Sequence, residues 1–371
     1  MELNRRSFVR GAVLAAGGAL TVGCGPRRIS APVPGLALPK VNVSEDRIIR
    51  RVTGLRPFRP SGFVVRAEKM GEKTVVHNYG HGGGGVTLSW GTASLAADLA
   101  MATGARRIAV LGAGAVGLAT ARLLAERGVA VTVYAKDLPP NTTSNIAAAQ
   151  WFPAYPFAGG RSTPQFMNQF VQASEISYRR FQLLVGGAWG VRWIPNYLMQ
   201  DRPFSEGNLI GPQSPLRHLL PGLEDLPEGQ HPFPYRYVRR VYTMFMETPV
   251  YMEALVRDVR LAGATIVVRE FRDRQEIATL PEPVIVNCTG LGAKALFADE
   301  ELTPVKGQLT VLLPQAEIDY ATLPPDLYMF PRRDGILLGG THEEGNWDLA
   351  FDQAAETRIV AGHARFYKEM R

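Results

Sequence analysis

One short segment constrains the fold of this chain more than any other. A strand-like apolar run, Arg107-Ile108-Ala109-Val110-Leu111, leads directly into Gly112-Ala113-Gly114-Ala115-Val116-Gly117. The next residues predict an amphipathic helix to about Arg127 and then a second strand, Ala130 to Tyr134. Three glycines at this spacing allow a tight turn, close approach of backbone to a pyrophosphate, and close packing of helix on strand. A glycine-rich turn alone is weak evidence, but in this context it predicts a dinucleotide-binding unit.

Composition limits the remaining possibilities. The 371 residues are 46% hydrophobic and 20% charged, which excludes a disordered chain, a collagen and a coiled coil, and favours about two domains. The two cysteines, Cys24 and Cys288, are too few for a disulfide framework or a four-cysteine zinc site. The formal charge of +7 comes without a basic stripe interleaved with aromatic residues. We therefore expect a mildly basic enzyme with no nucleic-acid partner.

The first residues predict a targeting signal. Arg5 and Arg6 precede an apolar run from Gly11 to Gly23, thirteen residues long, whereas a membrane span needs about twenty. The pattern predicts a cleavable export signal of the twin-arginine type over residues 1–24. Cys24 follows a sequence resembling a lipoprotein processing site, and cleavage without a lipid stays open as the alternative. Residues 25–43 are predicted to be a tether, and the protein is expected to be periplasmic or in the cell envelope.

Further motifs surround the dinucleotide unit. Residues 54–57 read Gly-Leu-Arg-Pro, and residues 77–83 read His-Asn-Tyr-Gly-His-Gly-Gly. Residues 134–137 read Tyr-Ala-Lys-Asp, and residues 141–145 read Asn-Thr-Thr-Ser-Asn. Later stretches are Val286-Asn287-Cys288-Thr289-Gly290 with Lys306-Gly307-Gln308, and Leu338-Gly339-Gly340-Thr341 with Gly345-Asn346-Trp347. No metal-ligand spacing, nucleophile elbow or Walker loop is present, so the sequence predicts no metal site.

Together these motifs resemble the D-amino-acid oxidase family of flavoproteins over most of the chain after about residue 44. The resemblance implies an α/β fold, with a Rossmann-like FAD-binding domain and a second domain in which an antiparallel sheet binds substrate. We expect the FAD-binding domain over residues 44–155, 281–300 and 335–371. Residues 156–280 are expected to be mainly substrate domain, and residues 301–334 to be substrate domain.

The order of the motifs differs from that of the family. Family members carry the Gly-Leu-Arg-Pro and His-Asn-Tyr-Gly segments near the C-terminus, whereas here both precede the dinucleotide motif. The sequence therefore predicts a circular permutation, with Gly104-Ala105-Arg106 joining two segments that are separate in the family. An artefact of gene assembly is the alternative.

The resemblance also implies the cofactor site. FAD is expected to place its pyrophosphate on the first glycine motif and its flavin ring near the second, with Asp137 at the ribose because Lys136 occupies the usual acidic position. The implied cofactor-binding residues are Gly82, Gly83, Gly84, Gly85, Val86, Thr87, Gly112, Gly114, Ala115, Val116, Gly117, Asp137, Thr142, Thr143, Ser144 and Val268.

Three residues are implied to act on the substrate. Arg56 would hold an α-carboxylate through two parallel hydrogen bonds, which lysine could not reproduce. The Tyr328 hydroxyl would meet the same carboxylate, and the Gly83 carbonyl would accept from the amine. A second tyrosine found in vertebrate relatives falls at Pro324 here, and Tyr320 could replace it only if that loop is rearranged.

The implied reaction is oxidative deamination of D-amino acids with oxygen as the second substrate, giving a 2-oxo acid, ammonia and hydrogen peroxide. His342 stands where D-aspartate oxidases carry arginine, and Glu343 and Glu344 follow it, so neutral substrates are favoured. The alternatives are a D-aspartate, glycine or sarcosine oxidase, a dehydrogenase using another acceptor, and an exported flavin-binding or amino-acid-binding protein without turnover. The sequence does not predict an oligomeric state.

Overall fold

The computed structural model describes residues 35–153, 157–158 and 160–371. The predicted export signal, Cys24 and residues 25–34 of the predicted tether lie outside these residues. Among the helices formed by the described residues, none combines the length and apolar character required to cross a membrane. The same part of the chain contains no group of three or more potential metal-ligating side chains.

The described residues form strands and helices in mixed order. The strands are β1 (Ile48–Phe58), β2 (Val64–Met70), β3 (Lys73–Tyr79), β4 (Arg107–Leu111), β5 (Ala130–Ala135), β6 (Val191–Gln200), β7 (Glu224–Leu226), β8 (Tyr237–Met246), β9 (Thr265–Val268), β10 (Val284–Asn287), β11 (Thr303–Leu312), β12 (Ala321–Leu323), β13 (Tyr328–Arg332), β14 (Gly335–Gly339) and β15 (Glu343–Glu344). The α-helices are α1 (Gly85–Met101), α2 (Ala115–Glu126), α3 (Thr143–Ile146), α4 (Pro164–Leu183), α5 (Thr248–Leu261), α6 (Arg274–Ala278), α7 (Gly292–Phe297) and α8 (Gln353–Glu369). Short 3₁₀ helices span Glu45–Arg47, Gly82–Gly84 and Arg217–Leu219.

The first sheet contains the predicted dinucleotide unit. Its strand order is β2-β3-β10-β4-β5-β9. All neighbouring strands from β3 to β9 are parallel, and β2 is antiparallel to β3. The strands of the parallel part are largely buried because helices such as α1 and α2 cover the sheet. The predicted strand, glycine turn, helix and second strand are all present as β4, residues 112–114, α2 and β5.

The second sheet is larger and mostly antiparallel. Its strand order is β1-β11-β14-β13-β12-β6-β8-β7, and β15 pairs with β11 outside this path. The one departure from an antiparallel sheet among these described strands is the pairing of β12 with β6, which is parallel. The sequence analysis anticipated an antiparallel sheet, so this pair corrects it. The mixed pattern follows from β12 being a short strand inserted between β13 and β6.

Two segments assigned to the FAD-binding domain from sequence lie in the larger sheet. Strand β1, within the predicted 44–155 segment, pairs with β11 from Ile48 to Phe58. Strand β14, within the predicted 335–371 segment, pairs with β11 and β13. Conversely, β9 from the predicted 156–280 segment joins the parallel sheet beside β5. The reason is long-range pairing, because the partner of β1 lies more than 200 residues further along the chain.

Residues 35–43, the described part of the predicted tether, contact the rest of the protein. Within residues 35–43, Val41 is buried and packs with Leu36 and Leu38 in an apolar cluster that includes Phe366. The Asn42 amide donates to the Gln315 Oε1 atom at 2.7 Å, and the Gln315 side chain donates back to the Asn42 carbonyl. This part of the chain is therefore docked on the protein, and only residues 25–34 of the prediction lie outside the described residues.

Candidate active site

The parallel sheet brings the predicted cofactor-binding segments to one edge. Parallel strands end on the same side of a sheet, and ligands of open α/β sheets bind outside those carboxyl ends. Here β3, β10, β4, β5 and β9 end side by side, at Tyr79, Asn287, Leu111, Ala135 and Val268. The glycine turn after β3, the glycine motif after β4 and Asp137 after β5 therefore share this edge.

The first glycine motif lies against the backbone that directly follows β10. Gly112 has a φ of +104°, and a Cβ atom placed there would approach the carbonyl of Cys288, with its carbon at 3.0 Å. A Cβ atom on Gly117 would collide with the Gly112 carbonyl, whose carbon would be 2.9 Å away. These two positions require glycine because the strand, turn and helix approach each other directly. The turn is thus shaped for the close contact that a pyrophosphate needs.

Short helix α3 lies over this turn. The Ser144 hydroxyl accepts a hydrogen bond from the Ala115 amide at 2.9 Å, at the N-terminus of α2. Thr142 is buried, and its hydroxyl donates to the Asn145 side chain at 2.8 Å, whereas Thr143 is exposed. The structure therefore brings Ser144 directly to the first glycine motif and places Thr142 and Thr143 beside it.

The residues predicted for the ribose and adenine end are exposed. Asp137 follows β5 and is solvent-exposed. Val268 ends β9 opposite Ala135 and is 67% exposed. Lys136, in the usual acidic position, lies 3.8 Å from Glu270 in an exposed ion pair. These residues lie at the ends of neighbouring strands, and Lys136 is paired with Glu270.

The second glycine turn leads into a long helix with an open N-terminus. Gly82–Gly84 form a 3₁₀ turn, and α1 begins at Gly85 with no side-chain cap on its N-cap residue, Gly84. The first amide groups of a helix lack intrahelical partners, and the helix dipole adds partial positive charge there. Val86 follows within the first turn. This end of α1 can therefore stabilise negative charge on a flavin ring.

Thr87, in the same turn, uses its side chain within the protein. Its hydroxyl donates to the Gln150 carbonyl at 2.9 Å and lies 3.3 Å from the Phe152 carbonyl and amide. The side chain therefore connects α1 to residues 150–152. The cofactor contact expected at this position stays a prediction.

A set of ionic contacts holds the second glycine turn in place. Arg59 donates to Asp299 through Nε at 2.7 Å and contacts Glu301 through Nη2 at 2.7 Å. The Tyr79 hydroxyl also donates to Asp299 at 2.7 Å. Burial raises the pKa of Asp299, but the hydrogen bonds from Tyr79 and Arg59 outweigh burial and lower it. Because Gly80 packs on the Arg59 side chain, these contacts fix the turn that follows β3.

A buried histidine lies within the same turn. The His81 ring stacks on Phe63, and its Nε2 atom lies 2.9 Å from the Thr92 hydroxyl. Burial lowers the pKa of His81 to about 3, so the ring is neutral at physiological pH. His81 therefore supports the turn by packing and hydrogen bonding without adding charge.

The predicted carboxylate-binding pair is brought together across the larger sheet. Arg56 lies on β1 and Tyr328 begins β13, and the Arg56 Nη2 atom donates to the Tyr328 hydroxyl at 3.3 Å. The Nη1 atom of Arg56 is buried and has no hydrogen-bond partner among the described residues. A buried guanidinium nitrogen without a partner is costly, and a carboxylate would satisfy it.

The glycine turn and this pair adjoin each other. A Cβ atom on Gly83 would lie 3.9 Å from Arg56 Cδ, which is ordinary van der Waals contact. The three residues predicted to act on substrate therefore meet at one place, beside the open end of α1. The residues present fit a dinucleotide bound along the edge of the parallel sheet. They also fit a carboxylate bound next to the flavin end of that dinucleotide.

Tyr320 does not replace the second tyrosine. Its side chain is fully buried in the apolar cluster with Tyr197 and Tyr367, and its hydroxyl donates to the Pro39 carbonyl. Burial raises its pKa further. The condition under which Tyr320 could replace the second tyrosine is therefore not met, because its hydroxyl holds the segment before β1.

The sequence analysis missed two glycines of the larger sheet. Gly307 in β11 lies under the Arg56 guanidinium, and Gly339 in β14 lies under the Tyr328 ring. Both were noted as parts of motifs without a role. Glycine in a strand interior signals close approach of another group, and that signal was available.

Comparison with known proteins identifies the family. The model of the family described as DAO, FAD-dependent oxidoreductase, matches residues 31–99 and 107–370. A D-amino-acid oxidase of Rubrobacter xylanophilus is 32% identical over 267 residues, which cover 68% of this chain and 75% of that protein. A human D-aspartate oxidase is 28% identical over 262 residues, covering 69% of this chain and 74% of that protein.

A solved structure shares the fold. The glycine oxidase of Geobacillus kaustophilus superposes with a TM-score of 0.53 at 18% identity, covering 72% of this chain and 80% of that one. The expected α/β flavoprotein fold and the expected FAD cofactor are thereby confirmed. This chain belongs to the DAO family of FAD-dependent oxidoreductases.

Proposed function

We propose that this enzyme oxidises D-amino acids with neutral side chains, using oxygen as the electron acceptor. Bound FAD supplies the two-electron acceptor for a hydride from the substrate α-carbon. The amino acid thereby loses two electrons and two protons and becomes an imino acid. Water hydrolyses the imino acid to a 2-oxo acid and ammonia, and the two electrons and two protons reduce oxygen to hydrogen peroxide.

A difference between two neighbouring arginines carries this proposal. Arg59 is saturated by two acids of the protein, Asp299 and Glu301. Arg56, three residues earlier, forms no ion pair with any described residue and keeps one buried nitrogen without a partner. The protein therefore supplies a half-buried cation whose carboxylate must come from a ligand.

The surrounding groups orient such a ligand. Arg56 would bind the α-carboxylate through the guanidinium fork, and the Tyr328 hydroxyl would donate to the same group. Gly83 lies beside Arg56, since an added Cβ atom there would be 3.9 Å from Arg56 Cδ. Its carbonyl would accept from the substrate amine. With both ends of the amino acid held, the α-hydrogen is positioned for transfer as a hydride, and this transfer needs no acid or base of the protein.

The sheet face around Tyr328 supports neutral side chains. Tyr328 packs with Phe330, Leu309 and Leu323 in an apolar cluster on this face. Arg56, which touches Tyr328, is taken up by the α-carboxylate, and two further cations beside the cluster are already paired, Arg192 with Glu247 and Arg332 with Asp334. An acidic side chain of the substrate directed into this cluster would lose its hydration without gaining a partner. The cost of such a buried unpaired ion is on the order of several kcal/mol.

Steady-state oxidation of D-alanine tests the proposal. Replacement of Arg56 by Ala should raise KM about 100-fold or more, because a buried charge contact to the carboxylate is lost. Arg50→Ala is the matched control, since Arg50 lies on the same strand but forms an exposed pair with Asp334. Peroxide formation with a normal KM in Arg56→Ala would contradict the proposal.

A substrate panel separates the alternatives within the family. The human D-aspartate oxidase and the Geobacillus glycine oxidase are named for acidic and unsubstituted substrates. Under our proposal, kcat/KM for D-alanine exceeds that for D-aspartate and for glycine. A preference for D-aspartate or glycine would replace the substrate class, and FAD binding without reduction by any amino acid would indicate a binding protein.

We further propose that the chain is circularly permuted relative to its family. The motif order supports this, and the family model matches in two blocks that separate between Leu99 and Arg107. The Leu36 amide donates to the Gln230 carbonyl and the Arg371 amide to the Pro232 carbonyl, so residues 36 and 371 adjoin one short segment. A chain rearranged to begin at Arg107, with residue 371 linked to residue 36, should bind FAD and oxidise D-alanine. Loss of both with two linker lengths would contradict the permutation.

Export remains a proposal that rests on the first residues alone. Arg5 and Arg6 before the apolar run support twin-arginine export, and Cys24 supports a lipid anchor. Replacing both arginines by Lys should leave the enzyme in the cytoplasmic fraction. Cys24→Ser should abolish fatty-acid labelling while preserving export, and equal labelling of both forms would contradict the anchor.

A further inference from the structure

Arg56 and Tyr328 meet although their strands are not neighbours. In the larger sheet, β1 and β13 are separated by β11 and β14. Adjacent strands lie about 4.8 Å apart, so the two backbones are separated by roughly 14 Å. Both side chains must therefore lean inward across the middle strands to reach their 3.3 Å contact.

The register places two glycines beneath this contact. Gly54 pairs with Gly307, two residues from Arg56, and Gly339 pairs with both Leu309 and Tyr328. Directly paired residues and residues two apart share a face of a sheet. Gly307 and Gly339 therefore lie on the face that carries Arg56 and Tyr328.

Any side chain at either glycine would occupy space that the pair now fills. A Cβ atom on Gly307 would lie 2.5 Å from Arg56 Nη2 and 2.6 Å from Cζ. A Cβ atom on Gly339 would lie 2.5 Å from the Tyr328 hydroxyl oxygen and closer still to its ring. Real Cβ atoms do not approach other heavy atoms so closely, so the guanidinium and the phenol would have to move.

We propose that Gly307 and Gly339 are positioning residues for carboxylate binding, which set the height and direction of the Arg56 guanidinium and the Tyr328 hydroxyl. This inference rests on the proposed function of that pair. At Gly307 the displaced group is the end of the flexible Arg56 side chain, which rotates at low cost, and no backbone atom is the nearest contact there. Alanine at Gly307 is therefore expected to preserve the fold while misdirecting the guanidinium.

A double-mutant cycle tests the role of Gly307. The probe is propanoate, the deaminated analogue of D-alanine, and its Kd is read from the change in flavin absorbance of the FAD-loaded enzyme. Gly307→Ala should raise Kd tenfold or more when Arg56 is present, on the order of a 1 Å misplacement in a site. In an Arg56→Ala background the same substitution should change Kd by about twofold at most. Equal weakening in both backgrounds would overturn the proposal.

The controls separate this inference from the proposed function. Gly187→Ala, where an added Cβ meets nothing within 4 Å, should leave Kd, FAD content and Tm unchanged. If Arg56→Ala alone leaves Kd unchanged, the proposed function fails. The Tm values of the two single variants and the double variant then test the inference. If Gly307→Ala clashes with the guanidinium, Arg56→Ala should restore any stability that Gly307→Ala loses. A loss that persists in the double variant would overturn it.

Gly339 is tested in the same way. Gly339→Ala should weaken propanoate binding when Tyr328 is present and have little effect beside Tyr328→Ala. The effect should be smaller than at Gly307, because a neutral hydroxyl contributes less than a guanidinium. If Gly339→Ala weakened propanoate binding more than Gly307→Ala with unchanged FAD content, the expectation that the guanidinium contributes more than the hydroxyl would be contradicted.

Discussion

At the nucleotide end of the site, Gly112 and Gly117 face backbone atoms. The nearest groups are the carbonyls of Cys288, directly after β10, and of Gly112, in the glycine turn, and neither backbone segment can move alone. At the substrate end, Gly307 and Gly339 face the ends of the Arg56 and Tyr328 side chains. The difference teaches that a glycine of the first kind supports the fold around the cofactor, whereas one of the second kind directs a side chain.

The largest expected effect on stability is at the nucleotide end of the site. Gly117→Ala should cost about 3 kcal/mol of stability, the upper part of the usual range for overpacking, because α2 must move from the turn. FAD per chain and Tm should both fall, and Gly187→Ala should change neither. Retention of full FAD content by Gly117→Ala would remove the distinction between the two kinds of glycine.

The pH dependence of stability tests the turn between the two ends. Burial lowers the pKa of His81 from its ordinary 6.5 to about 3. The unfolded state therefore binds a proton that the folded state does not, and stability falls as pH drops from about 6.5 towards 3. The slope is about 1.4 kcal/mol per pH unit for this group.

In urea unfolding between pH 6 and 5, His81→Gln should reduce the pH dependence of the free energy of unfolding by the contribution of about one proton. His77 and His363, whose pKa values burial also lowers, remain in both proteins and cancel in the difference. His218→Gln, at a half-exposed position, is the control. An unchanged slope in His81→Gln would show that His81 takes up a proton in the folded protein.

A smaller effect sharpens the substrate end. Tyr328→Phe should raise the KM for D-alanine about fivefold, equivalent to about 1 kcal/mol for one neutral hydrogen bond. FAD content should stay unchanged because the ring still packs on Phe330. Tyr235→Phe, a half-buried tyrosine of the cluster on the opposite face, is the matched control. A loss of FAD in Tyr328→Phe would place this hydroxyl at the wrong end of the site.

The smallest effect concerns side-chain preference. His342 is exposed and follows Gly340-Thr341 after β14. His342→Arg should raise the ratio of D-aspartate to D-alanine turnover by about two- to fivefold, the range of an exposed ion pair. No change in that ratio would show that the residue lies outside the substrate pocket.

Local signals predicted the nucleotide end well. The strand, glycine turn, helix and strand from Arg107 to Tyr134 depend on neighbours in sequence, so the motif was sufficient. Arg56, Tyr328 and Gly83 were identified through the resemblance to the family, and the fold brings them together. Their roles remain predictions until substrate binding is measured.

Long-range contacts account for what the sequence did not predict. The membership of β1 in the larger sheet depends on β11, and the docking of residues 36–43 depends on partners near Gln315 and Tyr320. The engagement of the Thr87 hydroxyl by Gln150 is likewise a tertiary contact. Periodicity reports which residues are buried but does not name the partner, so these features required the structure.

Anaerobic reduction of the bound flavin tests the central claim most directly. The purified FAD-loaded enzyme is mixed without oxygen with D-alanine or L-alanine, and the absorbance band of oxidised flavin is followed in wild-type, Arg56→Ala and Arg50→Ala proteins. Our account predicts rapid bleaching by D-alanine alone, lost in Arg56→Ala at the same concentration and kept in Arg50→Ala. Bleaching by L-alanine, or equal bleaching of Arg56→Ala by D-alanine, would contradict it.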